Sequence, residues 1–222
     1  MDNNTNSQVQ TDNSNFIFLV FLFSPLISLI LSVKAYREKW AKNVVWMFSA
    51  FFGYSFVIGN EGSDINRYKK KFLLHYDMQM SISDYFNFLI SEGTFDFIQP
   101  MLSFMTALFT SDFKIYLLLI GSIFGYFLSR IIWTVVSLGK KNPYWYGLLF
   151  ILVFSFIYAF WDINVMRFTL ATHIFFFGWI KLLLYKNKWG YLFMIFALLV
   201  HFSFAIAIAV CLLYQILGKN FV

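Results

Sequence analysis

"VVWMFSAFFGYSFVIG", residues 44–59, holds no charged side chain, and "NEGSDINRYKKKF", residues 60–72, follows it at once with six. Such a boundary is what a chain shows where it leaves hydrocarbon for water, since about 20 apolar residues of helix cross a bilayer core of about 30 Å. The composition extends that reading to the whole chain. Of its 222 residues, 60% are hydrophobic and 13% charged, against about 25% charged in soluble domains. Phenylalanine alone contributes 31 residues, more than a water-soluble core of this length can hide. The expected fold is all-α, a polytopic transmembrane helix bundle.

Apolar segments of near-spanning length recur at 16–33, 44–59, 115–138, 144–160, 168–185 and 190–217, about six spans. A seventh, "FIQPMLSFMTALFT" at 97–110, is short and has Pro100 near its start. Orientation follows from short basic loops, which stay in the cytoplasm. "KAYREKWAK" at 34–42 holds four Lys or Arg, and "GKKN" and "KNK" hold two each. With those three inside, residues 60–72 emerge on the outer face. An odd number of crossings must then separate residue 95 from residue 139, which makes 97–110 a re-entrant or interfacial helix beside an outer cavity. The four cations Arg67, Lys69, Lys70 and Lys71 oppose this orientation; the three inner loops outweigh them.

Residues 16–222 thus read as one transmembrane domain with an amphipathic outer loop over about 60–96. The first fifteen residues are polar and lack Lys and Arg, so they read as a disordered outer tail, not a signal peptide. Within the loop, Ile82, Tyr85, Phe86, Leu89 and Ile90 form one apolar stripe at helical spacing. That stripe lies either in the membrane interface or against the other helices. Ser81 and Asp84 stand at capping-box spacing.

The charge of +6 is divided among short loops instead of forming one basic face, which excludes nucleic acid as a partner. The single Cys211 excludes a disulfide within the chain. No paired His or Cys motif suggests a metal, and no glycine-rich phosphate loop suggests a nucleotide cofactor.

Asp64 and Tyr68 share a helical face, with Arg67 beside them. Asp64 is either a general base toward a sugar hydroxyl or a helix cap. Arg167 stands at the edge of an apolar run, where a guanidinium either binds phosphate oxygens or snorkels to the interface; Asp162 is a candidate ion-pair partner. His201 and His173, each inside an apolar segment, are either interhelical hydrogen-bonding groups or parts of a polar pocket. Lys69, Lys70 and Lys71 either attract phosphates or hold their helix on anionic headgroups.

The order of these pieces carries more than any one of them. "GNEGSDINRYKKKF" follows the second apolar run, then come "SEGTFDFIQPMLSFM", "MRFTLATHIFFFG" and "ALLVHFSFAIAI". This order resembles the EpsG family of Wzy-like bacterial capsular and exopolysaccharide polymerases, over about residue 16 to the end. In that family Asp and Tyr occur in the first outer loop, here Asp64 and Tyr68. An Arg precedes a small residue by four, here Arg167 and Ala171, and a His–x–Ser follows, here His201 and Ser203. The resemblance implies a multi-pass protein of the bacterial cytoplasmic membrane that joins undecaprenyl-pyrophosphate-linked oligosaccharide repeat units. Its partners would be that lipid carrier, membrane lipid and polysaccharide-assembly proteins; no metal or other cofactor is implied. Arg167, with Arg67, would hold the leaving pyrophosphate; Asp64 or His201 would take the acceptor proton. Tyr68 and Ser203 would contact substrate. Alternatives are a lipid-linked-oligosaccharide transporter or accessory subunit, and a cell-envelope ligase using the same carrier. Members of the family continue for several more spans, so the chain is expected to be a fragment, a truncated product, or half of a site that a partner completes.

Overall fold

Proline and glycine punctuate the helices, and they do so before any tertiary contact is considered. In the computed structural model, which describes residues 15–59, 64–78, 80–93, 95–138 and 165–217, every regular element is helical. Residues 1–14 of the tail expected over 1–15, the expected span over 144–160 and Asp162 lie outside the described residues, while Asn15 opens the first helix and is not part of a tail.

The segment expected to cross as one span at 16–33 is divided. A first helix, α1 (15–23), ends at Ser24, whose φ of −150° and ψ of 86° leave the helical region. The second, α2 (Pro25–Lys34), begins on Pro25, where a missing N–H costs nothing and the ring disfavours a helical residue before it. The Ser28 hydroxyl donates to the Ile17 carbonyl at 3.1 Å, a contact two collinear helices could not make. The two halves fold against each other, so the expectation of a single span here is corrected.

α3 (Ala41–Ser55) and α7 (Phe113–Leu138) pack antiparallel, with backbones nearly in contact. A Cβ on Gly121 would come within 2.5 Å of the Ser49 carbonyl oxygen, and one on Gly53 within 2.3 Å of that of Leu117. Small residues four apart on both helices, Ser49 and Gly53 against Gly121 and Gly125, permit this approach. α8 (Met166–Tyr185) lies parallel to α7, with Phe124 tilted against His173 at 4.3 Å and Phe127 edge-on to Phe177 at 5.2 Å between ring centres. α9 (Trp189–Val200) returns along α8 across Gly178 and Gly190, a second contact where a Cβ has no room.

The run 190–217 is also not one helix. It breaks at His201, whose backbone is extended (φ −153°, ψ 112°), and α10 (Phe204–Leu217) turns back. Tyr191 near the start of α9 donates to the Gln215 side chain near the end of α10, which fixes the two as antiparallel. The expected outward span over 190–217 is therefore corrected to a hairpin of 12 and 14 residues.

Two described helices are long and apolar enough to cross a membrane, α8 and Phe113–Val136 of α7. Of the expected bundle of about six spans, the described residues show a helical bundle containing two such helices, with shorter ones around them. At one end of the bundle sit α4 (Asp64–Asp77), α5 (Ile82–Ser91) and α6 (Ile98–Ala107). α6, with 10 residues, rises about 15 Å, half a hydrocarbon core, in keeping with a helix that does not span. Phe72 of α4 packs on Phe113 and Tyr116 at the start of α7. The stripe on α5 divides between its two expected environments: Tyr85 and Leu89 are buried, while Ile82, Phe86 and Ile90 stay exposed. Ser81 caps α5, its hydroxyl accepting from the Asp84 N–H at 3.1 Å and donating to the Asp84 carboxylate at 2.7 Å.

Candidate functional site

Four segments far apart in sequence meet at the end of the bundle where α7 and α8 begin. Arg167 occupies the first turn of α8 because the helix starts at Met166. Its Nε donates to the Tyr68 hydroxyl of α4 at 3.1 Å, and Nη1 donates to Asp96 Oδ2 at 3.2 Å. Asp96 lies in the bend before α6. Its second oxygen, Oδ1, accepts from the backbone N–H of Phe202 at 2.8 Å, so the carboxylate holds the α9–α10 turn. Asp96 Oδ2 also stands 3.4 Å from His201 Nδ1, within ion-pair distance. That nitrogen is enclosed yet makes no hydrogen bond of good geometry.

One carboxylate therefore bridges a guanidinium, an imidazole and a backbone amide. Asp96 is 17% exposed on its side chain, His201 30% and Arg167 42%, so the cluster faces outward over a buried floor. That floor is also polar. Gln99 of α6 donates to the Tyr116 hydroxyl at 2.8 Å, and Tyr116 contacts the Met166 sulfur at 3.5 Å. Phe168 meets the edge of the His201 ring at 5.9 Å and fixes one side of it.

Of the candidate residues, the fold brings Tyr68, Arg167 and His201 together. Asp64 stands one helical turn before Tyr68, in the first turn of α4, and pairs with Arg67 three residues on. Arg67 is thus engaged with Asp64 at an exposed position, not with Arg167's cluster. Ser203 lies exposed in the turn after His201. Lys69, Lys70 and Lys71 are all exposed on α4. His173 is buried and within 2.8 Å of the Thr169 carbonyl, a contact within its own helix and neither of the two roles weighed for it.

Sequence reasoning missed Asp96. Its one signal was a single acid in "TFDFIQP", between an amphipathic helix and a segment too short to span.

A second polar cluster ties the three short helices together. His75 of α4 is buried between Ser103 of α6, 3.0 Å from Nδ1, and Tyr85 of α5, whose hydroxyl is 2.9 Å from Nε2. Burial, aided by nearby Lys71, pushes the His75 pKa down from 6.5 to about 4, and burial pushes the Tyr85 hydroxyl up to about 12. The ring is therefore neutral at physiological pH, one nitrogen donating and the other accepting. Among the described residues no group of three His, Cys, Asp or Glu side chains converges as a metal site requires.

No protein-family model, curated protein or solved structure matches this chain.

Proposed function

We propose that the chain is a multi-pass membrane protein that handles a lipid-pyrophosphate-linked oligosaccharide at the outer face, in the manner of the EpsG-type polymerases its motifs resemble. The observation that carries this reading is the meeting of three separate motif residues: Arg167 and His201 at the single carboxylate of Asp96, and Tyr68 on the Arg167 guanidinium. In the reaction, an acceptor sugar hydroxyl attacks the anomeric carbon of the donor sugar. The bond from that carbon to the pyrophosphate oxygen breaks, and the lipid pyrophosphate leaves with the electron pair. Arg167 supplies a bidentate donor to the phosphate oxygens as their charge grows. His201 is the base: Asp96 beside Nδ1 favours the tautomer protonated there, leaving Nε2 to take the hydroxyl proton. The exposed cations Arg67 and Lys69 to Lys71 raise the local concentration of an anionic substrate.

One feature favours the non-enzymatic alternative, a carrier or accessory subunit for the same lipid-linked sugar. Arg167 already has a carboxylate partner at 3.2 Å, so its charge is partly spent before any phosphate arrives. Purified full chain, supplied with lipid-linked repeat units, separates the two. The enzyme reading predicts that Arg167→Lys lowers the polymerisation rate by roughly a hundredfold, the scale of a lost transition-state donor, and that His201→Gln does the same while substrate stays bound. Chains that lengthen at the parent rate in both variants remove the catalytic roles. Bound substrate with no lengthening in the parent assigns the carrier role.

A further inference from the structure

At the end of the bundle opposite the Asp96 cluster, a cavity of about 930 Å³ opens between the α2–α3 connection, α7 and α8. It lies on the far side of a long helix: Arg130, in its wall, is 14 residues along α7 from Tyr116, about 21 Å of helical rise. Five cations line it, Arg37, Lys39, Lys42, Arg130 and Lys181, against one carboxylate, Glu38.

Arg130 is the unusual member. It projects from the apolar α7, where an ionisable group is costly and marks a site by default. Its guanidinium donates to Ser129 Oγ at 2.8 Å and to Asn43 Oδ1 at 2.9 Å, and lies over the rings of Tyr126 at 4.2 Å and Trp46 at 5.1 Å. These partners hold the group in place, and all are neutral. Trp133, also in the wall, has a buried indole N–H without a hydrogen-bond partner. The cavity thus presents a fixed guanidinium and four further cations. Tyr36, Tyr126 and Tyr185 add the amphipathic rings that settle at headgroup level.

We propose that this cavity binds a phosphate-bearing anion, with Arg130 as the positioned contact and Arg37, Lys39, Lys42 and Lys181 as its electrostatic surround. A planar guanidinium pairs with two phosphate oxygens at once, and lysines add point charge. The volume is large for bare phosphate and lies at the upper range of organic-ligand pockets. Basic pockets between membrane helices on the cytoplasmic side take anionic lipid headgroups, and the basic 34–42 loop forms one wall here. The phosphate group is common to a phospholipid headgroup and to a soluble phosphate. The lipid source rests on the membrane reading, whereas the site rests on the cavity alone.

The test uses the purified full chain in uncharged detergent, with native mass spectrometry for retained lipid and thermal unfolding for stabilisation. Phosphatidylglycerol, phosphatidylcholine and inorganic pyrophosphate are added separately to the parent, to Arg130→Gln and to the exposed-wall double variant Arg37→Gln/Lys39→Gln. The proposal expects phosphatidylglycerol to be retained and to raise the midpoint more than phosphatidylcholine does. Arg130→Gln should weaken retention about tenfold, the scale of one charge-assisted contact, and the double variant should weaken it several-fold. Stabilisation by pyrophosphate alone, lost in the same variants, supports the site and assigns a soluble ligand. Equal retention of both lipids with no response to pyrophosphate overturns the proposal, as does undiminished binding in the variants. If Arg130→Gln fails to fold, the double variant decides. The readout is binding, so failure to polymerise sugar leaves the result intact.

Discussion

His75 shows how one buried polar side chain sets a condition on the fold around it. Its folded pKa of about 4 lies below the ordinary 6.5, so below pH 6.5 the unfolded chain takes up a proton that the folded one refuses. The stability from the neutral ring is complete above pH 6.5 and is lost as pH falls toward 4; the full difference is about 3 kcal/mol. Thermal unfolding in detergent should therefore show a falling midpoint between pH 6.5 and 4.5, with the fall reduced in His75→Gln. An equal fall in both would assign it to carboxylates elsewhere. The same residue scale separates what the sequence could reveal from what it could not. Tyr68, Arg167 and His201 stood out because an ionisable or phenolic group beside an apolar run is costly unless it has a role. Asp96 did not stand out, because its importance comes from three partners that are 71, 105 and 106 residues away, Arg167, His201 and Phe202. No local pattern encodes that convergence.

Helix ends were legible where chemistry is local and illegible where it is not. The Ser81 cap, the short helix at 98–107 and the stripe on α5 follow from spacing within a few residues. The Pro25 break had a visible cause, outweighed by the length of the apolar run around it. At His201 there was none: "LLVHFSF" contains neither Pro nor Gly, and the reversal is held from outside by Asp96 accepting the Phe202 N–H. Helix contacts make a sharper prediction. Gly121 faces the Ser49 backbone with no room for a side chain, whereas a Cβ on Gly59 meets nothing within 4 Å. Gly121→Leu should thus forfeit at least the 1–3 kcal/mol typical of overpacking, while Gly59→Ala should leave the unfolding midpoint within a few tenths of a kcal/mol of the parent. Equal midpoints for the two variants would mean that α3 and α7 do not meet as described.

At the scale of the molecule, many large apolar side chains of the described residues stand exposed while several small polar ones are buried. Leu22, Phe23, Ile206 and Ile216 are between 66% and 89% exposed, while Ser28, Ser32, Ser49 and Ser129 are 1% exposed or less. Exposed apolar patches on this scale need a covering, and small polar residues at helix contacts suit a chain whose surroundings are hydrocarbon. Composition alone made this legible; which segments run full length was not, because a break leaves average hydropathy unchanged. The Asp96 cluster and the basic cavity lie at opposite ends of the bundle, and the proposed membrane topology puts those ends on opposite faces. Labelling with a membrane-impermeant maleimide tests that directly, using Lys70→Cys on α4 and Lys39→Cys at the cavity, each with Cys211→Ser. Both lysines are exposed in the fold. In intact cells the account predicts labelling at position 70 and none at position 39 until the membrane is opened. Labelling of both positions from the same side would contradict it.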